Sequence, residues 1–276
     1  MLAAPAVPRV VFMHFICPLC QSPFREQGRG VFCLSGHHFD RAKEGYLNLL
    51  PAHHKNSRNP GDARSQLLAR RQFLDAGFFA PLLPVLASLV PKEARTLLDI
   101  GCGEGYFSHG LAAALPDNLQ VYAVDIAKEG IRLAARRYPE NYAVASAFAL
   151  PLASASMDVV TRIYAPSHTA ELKRVLSPRG RLLVVTPAEQ HLLRLRKHIY
   201  SSIRPHPEPG MAGFDCLQQQ RLGFSLQVPP GELTAALLEM TPYAWRLSES
   251  VRQQLIASGL EDDADFHVAV YKTSDS

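Results

Sequence analysis

The chain has 276 residues, of which 47% are apolar and 20% charged, with a formal net charge of +4. That length fits one large domain, or a domain plus a small module, and the balance is that of a packed, soluble protein. No apolar run approaches the roughly 20 residues that cross a bilayer, which speaks against a membrane role, and five cysteines, an odd number, favour metal binding in a reducing, cytoplasmic setting over a disulfide framework.

The charge is uneven. Residues 1–71 carry ten Lys and Arg against four Asp and Glu, whereas residues 72–276 carry 19 against 21. A basic leader on a near-neutral body suits a polyanionic partner; a solvated basic face is the plainer alternative. Residues 1–16 are apolar but lack the basic start and cleavage site of a signal peptide. They are expected to be a disordered extension, of which residues 10–16 can form a strand leading into the cysteine-bearing segment.

Cys17, Cys20, Cys33 and His37 stand in the pattern C-x2-C-x12-C-x3-H. A C-x2-C turn points two thiolates at one tetrahedral ion, and a second pair from a neighbouring hairpin completes the shell. Gly28-Arg29-Gly30 reads as that hairpin's turn. Three thiolates and an imidazole favour zinc, and a closed shell of protein ligands implies a structural ion. His38 is an alternative fourth ligand. A redox pair would belong beside a βαβ unit, and this one lies in a short leader too small to hold its own core.

Residues 53–64, with His53, His54, Lys55, Arg58 and Arg64 against Asp62, read as a basic loop. Helical spacing begins at Ser65 and runs through Leu67, Leu68, Phe73 and Leu74. Arg70 and Arg71, with Phe73, Phe78 and Phe79 nearby, either touch RNA or belong to a helix whose apolar side packs on the main domain.

Residues 96–100 form a short apolar run that ends in Gly101, Gly103 and Gly105. Helical spacing then begins at Phe107 and continues through Leu111 and Leu115. This is a buried strand, a tight turn and a helix start. Glycines let the backbone approach a ligand, and the helix start offers unpaired N–H groups. The pattern is G-x-G-x-G, with Tyr106 where a dinucleotide fingerprint has its third glycine. Together with Asp99, two residues before the first glycine, it resembles the first motif of the Rossmann-like S-adenosylmethionine (SAM) methyltransferases.

Residues 121–125 read as a second strand ending in Asp125, at about the distance from the glycines where such folds place a ribose-binding carboxylate; a cap on the next helix is the alternative. A third strand is expected at residues 142–145, with no acid after it, and a fourth at 158–164, running into Ala165-Pro166. Residues 171–176 read as a helix end, 178–180 as a turn, and 181–186 as a fifth strand. The stretch 187–220, with Arg194, Arg196, Lys197, His198, Arg204 and His206, either extends an RNA surface or forms an exposed helix. Strands are expected at 224–228 and 265–273, with helices at 232–240 and 248–258 between them.

From Cys17 onward the chain resembles the bacterial 23S rRNA guanine-N1 methyltransferases, and more the Gram-negative branch than the macrolide-resistance branch. The likeness rests on the Cys17/Cys20/Cys33/His37 knuckle, the segment 42–51 (AKEGYLNLLP), Pro60-Gly61-Asp62, residues 69–77 (ARRQFLDAG), 98–106 (LDIGCGEGY), 162–166 (RIYAP) and 240–246 (MTPYAWR). It implies an α/β fold: a Rossmann-like class I SAM-methyltransferase sheet with a small N-terminal zinc-binding module. The expected division is 1–16 extension, 17–50 zinc-binding RNA-recognition module, 51–78 linker and helix, and 79–276 methyltransferase domain.

The resemblance further implies SAM as methyl donor, structural zinc, 23S rRNA as partner, and a homodimer whose zinc modules flank an RNA cleft. Carried over by position, Gly103, Glu104, Gly105, Tyr106, Phe79 and His191 contact SAM. Phe79 replaces a frequent Tyr, so ring packing remains and a hydroxyl contact is lost. Asp99, Gly101 and Asp125 complete the expected cofactor site. No residue declares itself the catalytic base; His168, His191 and Glu104 are proton-acceptor candidates, and Tyr164 and Trp245 are candidates for stacking on a flipped guanine. Two other classes stay open: a small-molecule SAM methyltransferase with a purely structural knuckle, and an RNA-binding module on an inactive SAM fold.

Overall fold

A computed structural model describes residues 14–51, 61–203 and 210–274. The extension before His14, the basic loop residues His53, His54, Lys55 and Arg58, and Arg204 and His206 lie outside the described residues. Among the described residues no helix is long and apolar enough to cross a membrane.

Strands β1 (Phe24–Gln27), β2 (Gly30–Cys33) and β3 (His38–Asp40) form a small antiparallel sheet. Gly28, at φ +58°, sits in the β1–β2 turn. The chain then contributes β4 (Leu47–Asn48) to a second, larger sheet before α1 (Arg64–Asp75) and α2 (Leu82–Ser88). Strands and helices then alternate: β5 (Thr96–Ile100), α3 (Tyr106–Ala114), β6 (Gln120–Asp125), α4 (Lys128–Arg137), β7 (Asn141–Val144), β8 (Met157–Ile163), α5 (Thr169–Val175) and β9 (Leu176–Pro187). The chain closes with α6 (Leu193–Lys197), β10 (Phe214–Val228), α7 (Glu232–Met240), α8 (Glu249–Ser258) and β11 (Leu260–Thr273).

The large sheet has the order β10-β11-β9-β8-β5-β6-β7-β4. Strands β4 to β9 pair in parallel, and β11 runs antiparallel to both β9 and β10. The chain leaves β5 toward β6 and β7, then returns to β8 on the other side of β5. That reversal opens a crevice at the carboxyl ends of β5 and β8, where doubly wound sheets bind ligands. This is the Rossmann-like class I sheet with a small N-terminal module expected from the sequence.

Every residue of β5 is buried because both sheet faces are covered. Leu97 faces a layer containing Phe73, Leu86, Leu111 and Leu237. Leu98 and Ile100 face Leu172 and Val175 of α5, and also Phe15 and Val31 from the N-terminal region. The small sheet is thus anchored in the main core through apolar side chains. Helix α1 buries Leu67, Phe73 and Leu74; an Arg137–Asp75 ion pair at 2.7 Å and a 3.2 Å hydrogen bond from Gln72 to Glu232 tie it to α4 and α7.

The structure adds to the sequence reading at four places. His14–Ile16, placed in the extension, belong to the ordered body: Phe15 is 1% exposed and bridges to Leu152, and the Ile16 N–H donates to the Pro151 carbonyl at 3.0 Å. Leu47–Asn48, inside the expected zinc module, pair as β4 with β7 of the large sheet. Residues 178–180, expected as a turn, interrupt the pairing of β9 rather than preceding it: the register with β8 steps from Met157–Leu176 to Val159–Arg181 and leaves 177–180 outside the ladder. Strand β10 starts at Phe214 rather than 224, because its polar residues lie on the exposed edge of the sheet.

Candidate active site and metal centre

At the end of β5 the chain turns through Gly101, Gly103 and Gly105, at φ +71°, +56° and +87°. An L side chain in this region costs about 1–2 kcal/mol. Space forbids one as well at Gly105, where a Cβ would come within 2.8 Å of Ala134 and of the Tyr142 hydroxyl. A Cβ on Gly103 would lie 3.3 Å from Nη1 of Arg70. The backbone is therefore bare on the crevice side and followed by the start of α3.

Asp125 secures this turn. Its Oδ2 accepts the Gly103 N–H at 2.8 Å and its Oδ1 accepts the Ala127 N–H at 2.7 Å, next to the start of α4. The bond to Ala127 reaches the residue just before α4 and is not a side-chain cap of that helix. Burial raises the Asp125 pKa, and the two N–H bonds oppose the rise.

Asp99 lies behind the turn and not on it. It is 2% exposed, with Oδ2 accepting from Ser108 at 2.6 Å and Oδ1 from Thr161 at 2.8 Å. Burial pushes its pKa up to about 6 against those two bonds. Its work is to clamp β5, α3 and β8 together, and nothing in the sequence marked Ser108 or Thr161 as its partners.

Glu104 is 3% exposed, and its Oε2 has no hydrogen-bond partner among the described residues. Burial pushes its pKa up to about 7, opposed chiefly by Arg70. Arg70 itself forms a short ion pair with Asp62. Arg71 donates to the Leu133 carbonyl at 3.0 Å, and its Nε is buried with no partner among the described residues. Arg71 is turned inward, whereas Arg70, its side chain 29% exposed, pairs with Asp62 at the surface. Helix α1 packs its apolar side on the main domain, and Arg196 is buried, at 4% exposure.

Phe79, 6% exposed, meets Phe73 and Phe266 edge-on at 5.2 Å and lies 6.1 Å from the His191 ring. His191 Nδ1 accepts the Asp265 backbone N–H at 3.2 Å, so Nε2 carries the proton and donates to the Tyr164 hydroxyl at 3.4 Å. That arrangement makes His191 a donor rather than a base. Tyr164 follows β8 at φ +57°, unusual for a bulky residue, and is 46% exposed. His168 is an exposed residue at the start of α5. Trp245 is 78% exposed, on a 3-10 turn formed by Ala244–Arg246; the preceding Tyr243 lies edge-on to Tyr200.

The metal centre is a separate constellation. One ligand atom from each of Cys17, Cys20, Cys33 and His37 lies within 4.8 Å of the others. Cys33 Sγ is 3.4 Å from Cys20 Sγ and 3.3 Å from His37 Nδ1. The turn from Cys33 to His37 is closed by Cys33 N–H to the His37 carbonyl at 3.0 Å and Gly36 N–H to the Cys33 carbonyl at 2.9 Å. The Ser22 hydroxyl lies 3.0 Å from Cys20 Sγ. Three sulfurs and an imidazole nitrogen converging on one point fit a structural zinc ion. His38 faces Asp40 at 3.5 Å instead, so His37 is the fourth member of the set.

Residues 15–58 match the zinc-ribbon model described as RlmA, N-terminal, and residues 98–184 match the model described as methyltransferase domain. The 23S rRNA (guanine(748)-N(1))-methyltransferase of Streptomyces fradiae is 32% identical over 250 residues, covering 85% of this chain and 87% of that one. A candidate 23S rRNA (guanine-N(1)-)-methyltransferase of Bacillus subtilis (strain 168), YxjB, is 30% identical over 288 residues, covering 95% and 98%.

Proposed function

Because this chain belongs to the RlmA-type 23S rRNA guanine-N1 methyltransferase family with its N-terminal zinc ribbon, we propose that it methylates N1 of a guanine in a hairpin loop of 23S rRNA. SAM is the donor, and the zinc module helps to bind the RNA. The observation that carries this reading is the pairing of a bare glycine turn at the reversal point of the sheet with a Cys3His centre anchored in the same core.

SAM, when bound, supplies an already activated methyl group. The remaining task is positioning. Gly101, Gly103, Glu104, Gly105 and Tyr106, with Asp125, provide the bed for the donor, Asp99 stiffens it from behind, and Phe79 and His191 close its side. The strand end at Tyr164-Ala165-Pro166 faces the same crevice. Tyr164 stacks on a guanine swung out of the loop, and the neighbouring Tyr200, Tyr243 and Trp245 supply further aromatic surface for unpaired bases. With Nε2 of His191 donating to it, the Tyr164 hydroxyl keeps its own proton to offer outward.

The working unit in this reading is a cytoplasmic homodimer. Residues 17–50 bind zinc and recognise RNA, residues 51–78 link, and residues 79–276 bind SAM. The motif likeness supports the Gram-negative-type branch.

Incubation of the zinc-loaded protein with methyl-labelled SAM and rRNA from cells lacking this enzyme tests the proposal. Label is expected in N1-methylguanosine at a single hairpin position found by mass mapping. Label in a small molecule, or none in RNA, would overturn it.

A further inference from the structure

The face of the large sheet that α5 covers carries a polar recess used by neither the donor site nor the metal centre. Strand alternation places Arg162 of β8, Val184 and Thr186 of β9, and His267 and Ala269 of β11 on that face. The register joins them: Arg162 lies beside Val184, Val184 beside Ala269, and Thr186 beside His267. Val184 and Ala269, small and apolar, form a floor between the polar residues. Thr186 Oγ1 and His267 Nε2 are both buried with no hydrogen-bond partner among the described residues, although their residues are direct cross-strand neighbours. Such atoms are costly unless a partner arrives. Arg162 is half-buried and makes no ion pair among the described residues; its Nη1 donates to Ser167 Oγ at 3.3 Å. Burial lowers its pKa against the nearby Tyr271 hydroxyl. Asp265, two residues from His267, is already occupied: Arg221 forks onto it at 2.7 and 2.6 Å.

A guanidinium without a carboxylate, a hydroxyl and an imidazole nitrogen around an apolar floor are the donor set of an anion site. We propose that Arg162, Thr186 and His267 bind a phosphodiester group of the rRNA strand next to the target guanine: the Arg162 guanidinium takes the charge, and the Thr186 hydroxyl and His267 Nε2 complete the shell. The source of the anion follows from the strand end. In a regular strand Arg162 and Tyr164 would share a face, but at φ +57° Tyr164 turns to the other side and meets Phe266. The end of β8 therefore presents a cation on one side and an aromatic ring on the other, two residues apart. Phosphate and base of one nucleotide are thereby fixed at two points, which sets the register of the strand and the direction of guanine N1. The proposal rests on the reading of Tyr164 as the ring that stacks on that guanine.

Binding of the 23S rRNA hairpin to the full-length, zinc-loaded protein, measured over a series of salt concentrations, tests the site. Arg162→Ala is expected to weaken the hairpin about 10- to 100-fold and to reduce the salt slope by about one, with S-adenosylhomocysteine affinity unchanged. Arg162→Lys, which keeps the charge and loses the fork, should keep the slope and lose part of the affinity. Thr186→Val removes an unpartnered hydroxyl at nearly constant shape, so the melting temperature should hold or rise while hairpin affinity falls about 2- to 10-fold. A hairpin carrying one uncharged methylphosphonate, placed on either side of the target guanine, should bind wild type more weakly at one of the two linkages and bind Arg162→Ala no worse than the native hairpin does. An unchanged salt slope in Arg162→Ala, or methylphosphonate losses of equal size in wild type and variant, would overturn the site. Saturable uptake of inorganic phosphate that Arg162→Ala abolishes, with hairpin affinity unchanged, would mark a site for a free anion and overturn the assignment to RNA. Wild-type protein that binds no hairpin would overturn the functional reading itself, and the phosphate site with it.

Discussion

Ser108 donates a 2.6 Å hydrogen bond to Asp99 in a space that solvent does not reach. The bond ties the first turn of α3 to the last strand residues before the glycines. Because the carboxylate is buried, its pKa stands at about 6, above the unfolded value near 3.8. A raised acid is destabilising when ionised, so the penalty is absent below the unfolded value, grows as pH rises through about 6, and is constant beyond. At neutral pH it amounts to on the order of 3 kcal/mol. Asp99→Asn, whose amide both hydroxyls can serve, should therefore gain stability relative to wild type between pH 4 and 7, measured by urea unfolding without ligand. A difference that does not move with pH would contradict this account.

Gly103→Ala should weaken the protein and the donor site together. The φ of +56° is strained for alanine by about 1–2 kcal/mol, and the new methyl would crowd Nη1 of Arg70 at 3.3 Å. A fall of about tenfold in S-adenosylhomocysteine affinity is expected. Unchanged affinity would mean that the ligand does not pass over this residue.

Cys33→Ser removes one zinc ligand from the end of β2, where the turn to His37 begins. Metal analysis should show zinc content falling from about one ion per chain to well below that. Affinity for the rRNA hairpin should fall, while S-adenosylhomocysteine still binds. Val31 and Phe15 sit in the main core, so a lowered melting temperature should accompany the loss. RNA binding that survives loss of the metal would remove the zinc module from the RNA contact.

Tyr164→Ala separates the RNA base from the donor. Stacking of an unpaired base on an aromatic ring is worth about 1–3 kcal/mol, so kcat/KM for RNA should fall about 10- to 100-fold, with S-adenosylhomocysteine affinity unchanged. Tyr164→Phe isolates the hydroxyl that accepts from His191. Equal activity of Tyr164→Ala and wild type would end the stacking role.

Parts of the fold are legible because their causes are local. The run at Thr96–Ile100, its glycines and the helix behind them arise from a few neighbouring residues, and so do α7 at Glu232–Met240 and the hairpin turn at Gly28. The zinc ligands are legible for a related reason: thiolate spacing is a property of the chain before it folds. Strand β4 is different. Two residues, Leu47 and Asn48, carry no period, and only their pairing with β7 makes them a strand. The early part of β10 reads as a loop because an edge strand carries polar side chains on the side that water reaches.

The same division runs through the site. The amino-acid order alone determined that a bare turn follows a buried strand, that an acid ends the next strand, and that three cysteines and a histidine share an ion, because backbone freedom and ligand spacing need no distant partner. Only the tertiary structure decided that Asp99 is clamped by Ser108 and Thr161, that His37 and not His38 joins the cysteines, and that Arg70 stands beside Gly103. Those outcomes depend on which surfaces are brought together from residues far apart in the chain. A side chain's charge is written in the sequence, but the water, partners and burial that give the charge its task are set by packing.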